Sequence, residues 1–295
     1  METEKYLDQV LQKEGLSKDS AEAKAMQTEK AKVEKAISDV FDGNPVIRYA
    51  GSYKKETMIR ANYDLDIVCY FKHDDDSAGD NLEDIFNNVK DALAKQYTII
   101  PKKSALRLQG ENKFDFHIDV VPGRFVDDSE GDTFLYQSSG DKKRLKTNLD
   151  VHIGHIKDSG LTKTIKLVKI WKNIYSIDVK TFVLELLVVK VLDKSKDDSG
   201  LGKCLKKFFE ELSTNIDNIS IEDPANSGND LSLLFDSTVK SNLSAAATNA
   251  IGLINESKWE DLFGAVEDVD KSYVINSLKT NNTSQGNTPK PWLNQ

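Results

Sequence analysis

Two aspartates separated by one residue, Asp64 and Asp66, begin an apolar run, DLDIVCYF, and this pattern limits the possible fold more than any other. In a β-strand alternate side chains share a face, so both carboxylates point one way while Leu65, Ile67 and Cys69 point into the core. Two carboxylates this close repel each other unless a shared proton or a divalent cation neutralises them. The run therefore predicts a strand with one buried face and an acidic end.

A second stretch, KFDFHIDVV, alternates in the same way. Its apolar face holds Phe114, Phe116 and Ile118, and its polar face holds Asp115, His117 and Asp119. If this strand lies beside the first, Asp119 joins Asp64 and Asp66. Three converging carboxylates can hold two metal ions roughly 3.5–4 Å apart, the arrangement that assists phosphoryl displacement.

A Gly-Ser pair, Gly51 and Ser52, precedes the aspartates and supplies a candidate phosphate site. Glycine permits a tight turn and close backbone approach, and N–H groups at a following helix start favour an anion. Together these features indicate nucleotidyl transfer, in which a hydroxyl attacks an α-phosphate and Asp119 helps to deprotonate it. An isolated DxD is more often an ordinary strand edge or turn, so the prediction depends on the combination.

The remaining sequence predicts an α+β chain with two parts. Helices are expected over residues 19–41 and 81–97, and a strand pair over 105–110 and 113–123, closed by Pro122-Gly123. After about residue 145 helical patterns dominate, interrupted by a polar loop at 221–230. We therefore expect a core at 1–145 with a long N-terminal helix, a helical lobe at 146–295, and a mobile tail from about residue 281.

Composition narrows the functional classes. The chain has 48 acidic and 40 basic residues in 295, and this excess of acid disfavours bulk nucleic-acid binding. Its two cysteines, Cys69 and Cys204, lie far apart, which disfavours a disulfide framework or a zinc site. No signal pattern or membrane-spanning stretch is visible, so we expect a soluble, cytoplasmic protein without a membrane partner.

Four motifs together resemble the polymerase-β-type nucleotidyltransferases, and within them the CD-NTase group related to cyclic GMP-AMP synthase and oligoadenylate synthase. They are AGSYKKETMIRANYDLDIV, FHIDVVPG, TIKLVKIWKN followed by VKTFVLELLVVK, and IEDPANSGND. The resemblance covers residues 20 to 280. It implies a mixed sheet with helices, a helical C-terminal lobe, and an active-site cleft between them.

The resemblance also implies roles for single residues. Asp64, Asp66 and Asp119 would bind two Mg²⁺ ions, with Mn²⁺ as the alternative, and Gly51 and Ser52 would hold the triphosphate. Lys169 and Ser176 would reach the phosphates. Ile177 stands where the family has a base-stacking aromatic residue, and Glu56 replaces a glycine and is expected to point away from the phosphates.

The implied activity is the joining of NTPs, ATP foremost and GTP or others as alternatives, into a cyclic di- or trinucleotide messenger in anti-phage signalling. No stable nucleic-acid partner is expected, and an activating protein partner is left open. The competing hypotheses are an RNA-directed nucleotidyltransferase, of the CCA-adding or poly(A) type, and a non-catalytic nucleotide sensor. Base preference, linkage and ring size do not follow from the sequence.

Several other residues have a simple structural interpretation. Trp171 is expected in the core, His152 and His155 in structural roles, and residues 142–146 in a solvated loop. Arg60 either braces the acidic cluster or is exposed.

Overall fold

The computed structural model describes residues 3–16, 19–41, 45–109, 116–192 and 200–266. The strands of the described residues are β1 (Val46–Tyr49), β2 (Leu65–Phe71), β3 (Thr98–Pro101), β4 (Leu106–Gln109), β5 (Ile118–Phe125), β6 (Asp132–Tyr136) and β7 (Arg144–Asn148). The helices are α1 (Thr3–Glu14), α2 (Ala21–Ser38), α3 (Gly51–Lys55), α4 (Leu82–Leu93), α5 (Leu149–Lys157), α6 (Thr162–Ile174), α7 (Thr181–Leu192), α8 (Leu201–Asn215), α9 (Ser237–Asn255) and α10 (Trp259–Phe263), with short 3-10 turns at Ile216–Asn218 and Ser232–Leu234.

All seven strands belong to one mixed sheet. Its main order is β1-β2-β5-β4-β3, and β6 extends it by pairing with both β5 and β7. The β2–β5 pair is parallel, and the other pairs are antiparallel. The predicted α+β class is confirmed, and so is the pairing of the two strands that carry the aspartates.

The back face of the sheet packs against α2 and α4. Leu65, Ile67, Cys69 and Phe71 alternate on β2 and are buried there against the apolar faces of both helices. Both helices begin at the side-chain caps that their sequences provide, Ser20 for α2 and Asn81 for α4. The opposite side of the sheet, the front face, therefore carries Asp64, Asp66 and the residues that follow them in alternation.

The helices after β7 form a second core with α1. Tyr6, Leu7 and Val10 of α1 are buried among side chains of α6, α7 and α8. Trp171 of α6 is completely buried in this core, as predicted. The helix α1 was not predicted, and it packs with the C-terminal helices although it begins the described chain. The predicted domain boundary after residue 145 falls inside β7.

Two predictions about strand ends are wrong. Pro122 and Gly123 do not close β5, which continues to Phe125. On the edge of β5 away from β2, the partner changes from β4, opposite Ile118–Val120, to β6, opposite Gly123–Phe125. Pro122 lies where this edge changes partner, so its missing N–H is tolerated inside a strand.

The second error concerns residues 142–146, which were expected in a loop. Residues 144–146 instead begin β7, which pairs with β6 in a hairpin. The strand was not predicted because its basic side chains, Arg144 and Lys146, are exposed and give it no apolar face on that side.

Asp115 and the tail from residue 281 lie outside the described residues.

None of the helices in the described part of the chain has both the length and the apolar character that a membrane-spanning segment requires.

Candidate active site

A cavity of about 400 Å³ lies between the front face of the sheet and helices α3, α5, α6 and α7. Its floor is one face of β2 and the residue before it, where Asp64, Asp66, Val68 and Tyr70 follow in alternation. Of the residues predicted for the site, five line this cavity: Gly51, Ser52, Asp64, Asp66 and Lys169. The structure therefore brings the Gly-Ser pair and the DLD aspartates together.

Position 51 requires glycine for two reasons, its backbone conformation and its closeness to Asp66. Its φ is +56°, in the left-handed region that residues with a side chain rarely adopt. A Cβ atom at this position would lie 1.6 Å from Oδ2 of Asp66. Only glycine allows α3 to begin directly against the Asp66 carboxylate, which places Ser52 at the cavity wall.

Asp119 lies beside Asp66 across the parallel pair of β2 and β5, where the two residues are register partners. Burial, followed by the charges of Asp119 and Asp64, raises the pKa of Asp66 to about 7. Burial is also the main reason why the pKa of Asp64 is raised. Three carboxylates thus share one region of the front face, and burial together with their mutual repulsion favours a proton on Asp66 near neutral pH.

Arg107 is a site residue that the sequence analysis missed. Its guanidinium donates to both carboxylate oxygens of Asp119, from Nε at 2.7 Å and from Nη2 at 2.6 Å, and Nη2 lies 3.8 Å from Oδ2 of Asp64. The register of β4 and β5 places Arg107 opposite Asp119. The alternation in LRLQ contained a signal, because buried Leu106 and Leu108 imply that Arg107 points to the front face.

The carboxylate oxygens of Asp64 and Asp66 suit a hard divalent cation, which would offset both their burial and their mutual repulsion. Both oxygens of Asp119 accept from Arg107 instead. Within the described residues, no three acidic, histidine or cysteine side chains are arranged to hold a metal ion as they stand. Asp64 and Asp66 therefore fit a divalent metal, and Asp119 fits one once Arg107 releases it.

Lys169 is buried at the cavity wall in a cluster that joins three helices. Its ammonium donates to the backbone oxygen of Thr57 at 2.8 Å and lies 3.3 Å from Oε1 of Glu185. Lys55 of α3 also pairs with Glu185, and the Thr57 hydroxyl donates to Oε1 of Glu185 at 2.6 Å. Two lysines share one buried carboxylate, so the cluster carries a net positive charge beside the acidic end of the cavity.

Ser176 is not among the residues that line the cavity. It is exposed in the turn after α6, with φ at +51°. Lys172, Asn173 and Thr181, from the same region, do line the cavity. A phosphate contact by Ser176 stays a prediction, to which its position adds no support.

Two charged residues near the motif point away from the carboxylates. Glu56 does not line the cavity, and its carboxylate lies 3.2 Å from Nζ of Lys157, as its predicted orientation requires. Arg60 is exposed and pairs with Glu22 of α2, so it does not brace the acidic cluster.

His152 was expected to be structural, yet it lines the cavity. Its Nε2 is 2.7 Å from Oδ1 of Asp223, in the polar loop at 221–230. His155, three residues further along α5, lies in a different groove beside the same loop.

Comparison with known proteins identifies the family of this chain. The profile of the Second Messenger Oligonucleotide or Dinucleotide Synthetase (SMODS) domain matches residues 1–159, more than half of the chain. The chain belongs to the SMODS family. The CD-NTase resemblance of its motifs is confirmed.

This SMODS chain is similar to a cyclic AMP-AMP-AMP synthase of Escherichia coli (strain MS 115-1), with 24% identity over 182 residues. The match covers 55% of each protein, so the chain spans about half the length of that curated relative.

Two solved structures show the shared fold. The E. coli MS115-1 CdnC in its complex with HORMA-deltaN has a TM-score of 0.70 at 19% identity, covering 90% of this chain and 98% of CdnC. The Cid1 poly(U) polymerase bound to MgATP has a TM-score of 0.67 at 14% identity, covering 89% of this SMODS chain and 98% of Cid1. Both structures thus share the fold of this chain, whose family is given by the SMODS match.

Proposed function

We propose that the chain is a divalent-metal-dependent nucleotidyltransferase that joins NTPs into a cyclic di- or trinucleotide second messenger. The observation that carries the proposal is the convergence of Gly51, Ser52, Asp64 and Asp66 on one cavity, with Asp119 as the register partner of Asp66. Membership in the SMODS family supports the same activity.

The reaction joins two nucleotides by one displacement. A ribose hydroxyl of one NTP attacks the α-phosphorus of another, a new P–O bond forms, and the bond to the β-phosphate breaks with release of pyrophosphate. The hydroxyl proton passes to the carboxylate cluster, where Asp119 is the candidate acceptor. For a cyclic dinucleotide, a second displacement within the linear product closes the ring and releases another pyrophosphate; a cyclic trinucleotide requires one more addition, with its own pyrophosphate, before closure.

The chain's own residues bind and orient the triphosphate. Gly51 and Ser52 open α3 toward it, and the net positive charge of Lys55, Lys169 and Glu185 lies along the same cavity. Divalent ions, two Mg²⁺ or Mn²⁺, would supply charge neutralisation at the phosphates when held by Asp64, Asp66 and Asp119. The Cid1 poly(U) polymerase, whose structure holds MgATP, supports magnesium.

The relatives suggest substrates and a setting. A relative named as a cyclic AMP-AMP-AMP synthase supports ATP as a substrate, with GTP or other NTPs as alternatives. The CdnC complex with HORMA-deltaN supports an activating protein partner for this chain. A cytoplasmic role in anti-phage signalling completes the proposal.

The test is a product assay with the full chain, all four NTPs and Mg²⁺. We expect pyrophosphate release and a phosphatase-resistant product whose mass, by mass spectrometry, equals a cyclic di- or trinucleotide. Asp66→Asn and Gly51→Ala should each lower the rate by about 100-fold or more, as loss of transition-state stabilisation does.

Gly252→Ala is the matched control for the glycine variant. Gly252 lies in α9, where an added Cβ meets no atom within 4 Å, so activity should be unchanged. Product formed only when an RNA is added would reject cyclisation. No pyrophosphate from any NTP mixture would favour a nucleotide sensor.

The second candidate is an RNA-directed nucleotidyltransferase, favoured by the likeness to Cid1. The net charge of −8 opposes it, because RNA affinity depends mainly on clustered basic residues. Adding labelled tRNA or a poly(A) primer to the same assay separates the two candidates by the size of the labelled product.

A further inference from the structure

We propose that His152 reads the base of a nucleotide bound in the cavity, its Nδ1 accepting a hydrogen bond from an exocyclic amino group such as N6 of adenine, with Asp223 as the positioning residue. The inference rests on the proposed function, because it takes the cavity to be the nucleotide site.

The cavity floor changes character along β2. From Asp66 the same face continues to Val68 and Tyr70, about 13 Å away at the usual rise of a strand. Val121, Leu135 and Leu149 line the cavity as well and pack in the same apolar cluster as Val68 and Tyr70. One end of the cavity is thus charged and suits phosphates, and the other is apolar and suits a planar base.

His152 lines the same cavity as Leu149 and follows it by three residues on α5, so the two side chains lie on one face of that helix. The imidazole is held on two sides. Oδ1 of Asp223 lies 2.7 Å from Nε2, and the ring of Phe182, another cavity residue, is centred 5.2 Å away. The orientation of the ring is therefore set before any ligand arrives.

Asp223 is itself fixed. Its side chain is 5% exposed, and its oxygens accept from Nδ2 of Asn229 at 2.7 Å and from the N–H of Ala225 at 2.9 Å. Burial tends to raise the pKa of Asp223, but the hydrogen bonds from His152, Asn229 and Ala225 hold it below the ordinary value. The carboxylate is ionised, so it only accepts hydrogen bonds.

This fixes the chemistry of the free nitrogen. Because Nε2 donates to Asp223, neutral imidazole presents Nδ1 as an acceptor. Among the described residues, no group is hydrogen-bonded to Nδ1. An acceptor at an apolar wall matches the amino group of adenine and mismatches the carbonyl oxygen of a 6-oxo purine.

A purely structural role for the pair predicts something different. His152 and Asp223 also tie α5 to the loop at 221–230, and a simple tie would affect stability without affecting the choice of base. Two substitutions separate the roles, because glutamine places its amide near the position of Nε2 and asparagine near that of Nδ1. His152→Gln keeps the tie and loses the cavity contact, whereas His152→Asn does the reverse.

The experiment measures binding by calorimetry, with the full chain, Mg²⁺ and the α,β-methylene analogues of ATP and ITP. For the wild type we expect the ITP analogue to bind about tenfold more weakly, the effect of one mismatched hydrogen bond. His152→Gln should weaken the ATP analogue by about tenfold, and His152→Asn by about threefold or less. His155→Gln, on the same helix but outside the cavity, should bind as the wild type does.

Asp223→Asn supplies a readout that a structural tie would not change. An asparagine N–H can donate to Nε2, which moves the imidazole hydrogen to Nδ1, so the preference should shift toward the ITP analogue. Equal binding of both analogues by the wild type, or full affinity in His152→Gln, overturns the inference. If the wild type binds neither analogue, the proposed function falls instead.

Discussion

The Asp66 carboxylate lies between Gly51, which has no side chain to exclude it, and two other carboxylates. Its chemistry depends on this environment, because the same side chain in an exposed strand would stay ionised at neutral pH. Arg107 offsets part of the negative charge through Asp119 and Asp64. A divalent cation bound to Asp66 would take the place of the proton that this environment favours.

Metal-free protein should lose stability as pH rises through the range in which Asp66 ionises. The folded pKa is about 7 against 3.8 for the ordinary carboxyl, so the folded state binds the extra proton between these values. Its stabilising effect is complete below the lower value and is lost as pH rises through the upper one. The free energy of unfolding, measured with urea in EDTA, should decline over this range.

Asp66→Asn is the matched variant, because it cannot ionise. Its decline should be smaller than that of the wild type, and Mg²⁺ at pH 8 should stabilise the wild type more than the variant. Identical pH profiles for the two proteins would show that Asp66 ionises normally.

At the scale of elements, α7 is an apolar helix with one acidic residue at its centre. Glu185 is 1% exposed and binds side chains of three other segments: Lys55 of α3, Thr57 just after α3, and Lys169 of α6. The pKa of Glu185 is lowered because Lys169 and Lys55 outweigh the effect of burial. One carboxylate thus joins α3, the helix that begins at Gly51, to the helical lobe.

Glu185→Gln should destabilise the protein by about 3–5 kcal/mol, since it leaves the buried Lys169 without a counter-charge. Chemical denaturation measures the loss. Lys190→Gln, at an exposed position of the same helix, should change stability by about 0.5 kcal/mol or less.

The double variant Lys169→Met with Glu185→Leu tests whether the unpaired buried charge causes this loss of stability. It should recover part of the lost stability, because two apolar side chains replace the most deeply buried pair, while Lys55, whose side chain is 11% exposed, stays without its counter-charge. A double variant no more stable than Glu185→Gln would show that charge is not the cause.

At the scale of the whole molecule, α1 at the beginning of the described chain is hydrogen-bonded to segments near its end. The Tyr6 hydroxyl donates to the backbone oxygen of Gly264 at 2.7 Å. The carboxylate of Glu4 accepts from the N–H groups of Leu201 and Gly202, at 2.8 and 2.9 Å. Glu4 therefore caps the start of α8, which has no side-chain cap of its own.

Glu4→Ala should lower the free energy of unfolding by about 1–2 kcal/mol, the usual cost of losing a helix cap. Lys5→Ala, at the exposed neighbouring position, is the control and should have little effect. Equal effects of the two substitutions would show that the cap contributes nothing to stability.

Much of the fold and part of the candidate site follow from local patterns. Alternation in DLDIVCYF and in HIDVV predicted two strands and the face that each aspartate occupies, and both strands are present and adjacent. The Gly51-Ser52 pair, which the sequence analysis grouped with the aspartates, lines the same cavity as Asp64 and Asp66. The α1 helix and the β6–β7 hairpin were not predicted, although Tyr6, Leu7 and Val10 of α1 lie at a helical spacing that indicates one buried face.

The sequence by itself determined which side chains face which way, because strand and helix periods are local properties of the backbone. Only the tertiary structure decided which charges meet: Arg107 with Asp119, Glu185 with Lys169, and His152 with Asp223. Each pair joins separate elements, and the distance between elements depends on how the whole sheet and both cores pack. For the same reason Ser176, which its motif placed near the phosphates, lies in an exposed turn outside the lining of the cavity.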